Sequence, residues 1–209
     1  MKILLYAVGG VFLLTFLAAP TMGAGWFWDA GNGLGFAAFA GLVYMTITSN
    51  RRLDVRAHRL LAYAVCALAL AHAFWFILGD AVVIEFLKIG APGYMWLGVV
   101  SLLLLTILIA IAVVPDRLRV HRDYSEFRYW HRVITVATIA AAAYHIAASR
   151  FYLQTWYQVA IFALLACAVC IGRDVWIRLG QIAIATPAAY LGISAICIAV
   201  FVFIRNLPT

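Results

Sequence analysis

Five histidines stand in a chain of 209 residues, at positions 58, 72, 121, 131 and 145. Four of them form two pairs with one spacing: His58 with His72, and His131 with His145. Fourteen residues at about 3.6 per turn is close to four whole turns, so the two rings of a pair face nearly the same way, about 21 Å apart along a helix axis. If both segments are helices running in the same direction, His58 and His131 lie at one depth and His72 and His145 at another. Pairing across the helices then gives two stacked sites, each with two imidazoles. Two axial nitrogens in an apolar slot are the ligands of a six-coordinate heme b. Zinc fits poorly, because two imidazoles leave half of its tetrahedral shell unfilled. A single histidine inside a membrane as often bridges helices by a hydrogen bond or carries a proton. Four at matched spacing and matched depth favour ligation, so His58, His72, His131 and His145 are the expected metal ligands. His121 has no partner at this spacing and reads as a solvated loop residue.

The elements that must position these rings follow from composition. Hydrophobic residues make up 67% of the chain and charged residues 11%, and the mean hydropathy is +1.03. Soluble domains are about 45–50% apolar and about 25% charged. The chain is therefore expected to be an all-α integral membrane protein, since a transmembrane barrel would alternate in runs of about ten residues. Seven apolar segments are readable: Ile3–Met22, Gly33–Ser49, Ala57–Gly79, Gly93–Val114, Tyr129–Ala148, Phe151–Gly172 and Gln181–Ile204. All but the second, which is at the short limit, have the length a bilayer requires. The expected organisation is one transmembrane domain over 1–209, with a histidine-bearing core over about 33–172 and an added C-terminal helix over about 181–204. Little chain is left for a soluble domain.

Charge sets the expected orientation. With the N-terminus in the cytoplasm, all the Lys and Arg residues except Lys88, Arg150 and Arg205 fall on the cytoplasmic side, as the positive-inside rule requires. Lys2 and the apolar run after it also fit a secretory signal. Removing that first helix would scramble the alternation, so it is read as a true span. The net charge of +7 is then a topology signal facing anionic lipid, and no nucleic-acid partner is needed to explain it. Cys66, Cys167, Cys170 and Cys197 lie inside spans and read as small buried residues. Trp26, Trp28, Trp75, Trp96, Trp130, Trp156 and Tyr157 read as an interfacial aromatic belt. Gly35, Gly41, Gly90, Gly93 and Gly98 permit close helix approach or turns. No repeat is evident.

Arginines flank the histidines. Arg59 follows His58 and Arg132 follows His131. Arg pairs well with carboxylates, and heme propionates are carboxylates; equally, both could be topology residues. Arg150, five residues past His145, could hold an outer propionate or attract an anionic acceptor, or simply snorkel to the interface.

The chain resembles the ferric reductase-like transmembrane domain. That family includes ferric reductases, NADPH oxidases and the heme membrane subunit of the bacterial periplasmic methionine sulfoxide reductase system. The residues that carry the resemblance are Ala57-His58-Arg59-Leu60-Leu61 with His72, and Phe127-Arg128-Tyr129-Trp130-His131-Arg132 with His145. The basic loop from Arg117 to Glu126 adds to it. The resemblance implies a six-helix core in which two b hemes pass single electrons across the membrane, one held by His58 and His131, the other by His72 and His145. Two departures stand out. The oxidases and ferric reductases carry a cytoplasmic flavin and nicotinamide domain after the core, whereas this sequence ends soon after a seventh segment that would place the C-terminus outside.

The expected function is thus a bis-heme b electron-transfer subunit in the lipid bilayer of a bacterial inner membrane. Electrons would come from a separate cytoplasmic flavoprotein or from quinol, and leave to an outer-side protein, a ferric chelate or oxygen. Flavin would reside only on the partner. A quinone-linked cytochrome b anchoring a larger redox complex is the alternative, with quinone as a further cofactor. A heme-free transporter or assembly factor is the third reading, supported only by Pro187 as a mid-span proline.

Overall fold

In lipid a backbone has no partner for its N–H and C=O groups except itself, so long apolar runs close into helices. The computed structural model describes residues 2–16, 25–47, 55–113, 124–172 and 184–207. Among these, seven α-helices appear: α1 (Lys2–Phe16), α2 (Trp26–Ile47), α3 (Val55–Gly79), α4 (Gly93–Val113), α5 (Tyr124–Ser149), α6 (Trp156–Ile171) and α7 (Pro187–Arg205), with a short 3₁₀ helix at Ala81–Leu87 between α3 and α4. No strand occurs among the described residues. Helices α2, α3, α4, α5 and α7 are long and apolar enough to cross a membrane, while α1 and α6 are shorter apolar helices. The protein is an all-helical integral membrane bundle.

Helix α2 is the centre of the bundle. Phe36, Ala37, Ala38, Phe39 and Ala40 are all buried, and α1, α3 and α7 pack around it. Helix α4 packs chiefly on α5, and α3 touches α4 along the seam between the two pairs. The bundle is thus two antiparallel pairs, α2 with α3 and α4 with α5, flanked by α1, α6 and α7. The outward faces stay apolar: Leu103, Leu164, Ile196 and Phe203 are all exposed, the pattern expected of a lipid-facing surface.

Element ends differ from the expectation in instructive ways. Helix α2 begins at Trp26 rather than Gly33, because Asp29 in its first turn is fully buried and partnered. Gly25, at φ +92, turns the chain into that helix in a conformation that favours glycine. Helix α5 begins at Tyr124, ahead of its apolar run. Helix α6 begins at Trp156, after a non-helical stretch from Arg150 to Thr155. There Gln158 accepts from the Thr155 backbone N–H (3.1 Å) and donates to the Leu14 carbonyl (2.9 Å). Pro187 is not a mid-span proline. It is the first residue of α7, behind the N-cap Thr186, whose hydroxyl accepts from Ala189 N–H. Proline suits that position, since its missing N–H has no helical partner to lose, and the thin support for a broken transporter helix disappears. His121 and the arginines of the loop around 117–122 lie outside the described residues.

Candidate functional site

The four histidines of matched spacing fall on α3 and α5. Across the gap, the rings of His58 and His131 have centres 6.4 Å apart, and those of His72 and His145 6.5 Å apart. Helices α3 and α5 are not among the pairs in close backbone contact. They meet through these rings, each held instead by its antiparallel neighbour. Ala62 and Thr135 stand one turn after the first pair, and Ala69 and Ala142 one turn before the second. The Thr135 hydroxyl donates to the His131 carbonyl at 2.7 Å, which keeps its polarity on its own helix.

The second pair has a precise support on each side. His72 Nδ1 lies 2.8 Å from the Gly31 carbonyl of α2, and His145 Nδ1 lies 2.9 Å from the Tyr94 carbonyl of α4. A carbonyl only accepts, so each Nδ1 carries a proton, and in the neutral form of the ring the lone pair is then on Nε2. Four residues beyond each carbonyl stands a glycine. A Cβ on Gly35 would lie 2.9 Å from His72 Nδ1, and one on Gly98 would lie 2.9 Å from His145 Nδ1. Each ring therefore rests on bare helix backbone, and the α2/α3 and α4/α5 pairs repeat the same device. The sequence shows no repeat at this point because the spacing is not constant: carbonyl and histidine are 41 residues apart in one pair and 51 in the other.

An aromatic layer closes the His72 side. Phe76 meets the His72 ring edge-on at 5.4 Å. Trp28 packs against Phe76 and stacks on Phe151, and Trp75 donates its indole N–H to the Phe27 carbonyl at 2.9 Å. Trp28 and Trp75 are thus packed parts of this site as well as belt residues. On the His131 side, Phe127 stacks on the ring one turn earlier.

The three arginines lie at the surface. Arg59 and Arg132 follow their histidines but their side chains are exposed. Arg150 is exposed and follows the last residue of α5 in a left-handed conformation, at φ +53. Among the glycines, Gly35, Gly41 and Gly98 make close approaches. Gly90 and Gly93 have open space around them; they sit in the turn before α4 and at its first residue. Among the described residues, no three His, Cys, Asp or Glu side chains come together as a metal site.

Residues 52–142 match the ferric reductase like transmembrane component. The matched segment holds His58, His72 and His131 and stops just before His145. It runs from α3 into α5 and so covers three of the four paired histidines. Helices α1, α2, α6 and α7 lie outside it. No curated protein and no solved structure matches the chain.

One group of polar residues had no place in the sequence reading. Asp29, fully buried, accepts from Tyr152 Oη (2.8 Å), Arg205 Nε (3.3 Å) and Asn206 Nδ2 (2.8 Å). A carboxylate next to an apolar run is the signal that could have found it, because ionisable groups at membrane depth are rare and partnered.

Proposed function

We infer that this protein is a bis-heme b transmembrane electron-transfer subunit. When bound, two hemes would supply one-electron redox chemistry at two depths of the bilayer. The observation that carries the reading is the pair of facing imidazoles at each depth. An imidazole nitrogen binds a metal at about 2.0–2.1 Å and lies about 1.1 Å from its ring centre, so two rings on opposite sides of one ion would have centres about 6.3 Å apart. The separations of 6.4 and 6.5 Å agree with that. His58 and His131 would hold the group nearer the cytoplasm, His72 and His145 the outer one. Metal-bound histidines characteristically give their second N–H to a carbonyl or carboxylate, as His72 and His145 do. Helices α3 and α5 lack close backbone packing, which leaves width between them. Arg59, Arg132 and Arg150 are the residues proposed to meet the propionates.

By the positive-inside rule the ends of α2 and α3 near His58 face the cytoplasm, and the turn between α3 and α4 faces out. That orientation, in a bacterial inner membrane, draws electrons from a flavoprotein or quinol partner and releases them to an outer acceptor. An open apolar groove between the start of α2 and the end of α3, lined by Trp26, Phe27, Ala71, Phe74, Trp75 and Leu78, is where a second reading would bind a quinone laterally, with the protein serving as a quinone-linked cytochrome b.

The test is optical. Protein purified from heme-replete cells is expected to show a b-type reduced-minus-oxidised spectrum with two hemes per chain, and His72→Ala is expected to halve the heme content. A colourless wild-type preparation overturns the assignment.

A further inference from the structure

Asp29 and Arg205 form an ion pair with almost no solvent access, at 0% and 3% exposure. Ion pairs of this kind rarely stabilise a fold better than apolar packing would, so the pair invites a specific role. It joins three parts of the chain at one end of the bundle. Asp29 is in the first turn of α2, Tyr152 in the stretch between α5 and α6, and Arg205 and Asn206 at the end of α7. Each Asp29 oxygen is engaged: Oδ1 by Tyr152 and Arg205, Oδ2 by Asn206. The guanidinium also lies 4.8 Å over the Tyr152 ring.

The pinned turn is the one that supports His72. Two residues after Asp29 is Gly31, whose carbonyl meets His72 Nδ1. Two residues before it is Phe27, whose carbonyl accepts from Trp75. His145 has the same carbonyl and glycine on α4, yet the first turn of that helix, Gly93-Tyr94-Met95-Trp96, contains no charged residue.

We propose that the Asp29–Arg205 pair, closed by Tyr152 and Asn206, is a positioning device for His72. It holds the start of α2 against α7 so that the Gly31 carbonyl stays on Nδ1 and Nε2 stays free to ligate. The consequence for the outer heme rests on the ligation reading above. The hydrogen bond itself is a property of the chain.

The experiment measures solvent exchange of the His72 and His145 Nδ1 protons by NMR, in the full chain as purified and reduced. The variants are Tyr152→Phe, Arg205→Met and Asp29→Asn. Losing the pin is expected to speed exchange at His72 about fivefold, the factor that one ordinary hydrogen bond represents, and to leave His145 unchanged. Equal acceleration at both rings would reveal a merely structural pair and overturn the proposal, as would no change at either. Tyr152→Phe removes one hydroxyl and keeps the ring, so it decides the matter if the charge variants fail to fold. A wild-type chain without heme would sink the ligation reading alone, because the His72 exchange would still report on the pin.

Discussion

Gly35 and Gly98 are the residues on which the second histidine pair depends most directly. Each lies under an imidazole at a distance that leaves no room for a methyl group. Alanine at either position must push the ring off its carbonyl or spread the helices, an overpacking cost of about 1–3 kcal/mol. Gly98→Ala is therefore expected to lose the His72/His145 heme and retain the other, so that the heme-to-chain ratio falls by half. Gly90→Ala, where a Cβ meets nothing, is expected to leave the ratio unchanged. A ratio unaffected by Gly98→Ala would show that the ring can move without losing its ligand. The histidines themselves were legible in the sequence because fourteen residues is nearly a whole number of helical turns. The glycines were noticed there too, but only as small residues. That two of the five serve as seats for imidazole rings depends on which helix packs beside which, and no spacing along the chain expresses that.

At the level of elements, the ends of helices were the least legible part. Apolar runs mark where a helix is in lipid, and α3 and α4 were read to within a residue or two for that reason. Helix α2 extends through Trp26 to Asn32 because tertiary partners neutralise Asp29, and α7 starts at Pro187 because Thr186 caps it. Breaking the partnership should be costly. Removing one member of a buried ion pair strands the other charge and typically destabilises by about 3–5 kcal/mol. Arg205→Met and Asp29→Asn are each expected to lower the midpoint of thermal unfolding in detergent. The double variant should recover much of the loss, since no buried charge remains. Additive losses would mean that each residue acts through separate contacts. Between α4 and α5 the connection is neutral: Ser101 donates to the Thr138 carbonyl at 3.0 Å, and a similar truncation there should cost about 1 kcal/mol.

For the whole molecule, the arrangement of charge makes a prediction about sidedness. Ile89, in the turn before α4, is 99% exposed, and Tyr124 at the start of α5 is exposed at the opposite end. A cysteine at Ile89 is expected to react with a membrane-impermeant maleimide added to intact cells, and a cysteine at Tyr124 only after the membrane is opened. The reverse pattern would invert the proposed direction of the two histidine levels. The sequence by itself determined that this is a helical membrane protein, how its charges are distributed, and that two pairs of histidines share one spacing. Those properties are local: hydropathy, helical pitch and charge need no knowledge of neighbours. Only the tertiary structure decided that the pairs face each other at 6.4 and 6.5 Å, that α3 and α5 meet through rings rather than backbone, and that the last helix clamps the first turn of α2. Packing brings together residues such as Asp29 and Arg205, 176 positions apart, and in an apolar bundle such contacts are chosen by shape and by the need to pair every buried polar group, neither of which is written in order along the chain.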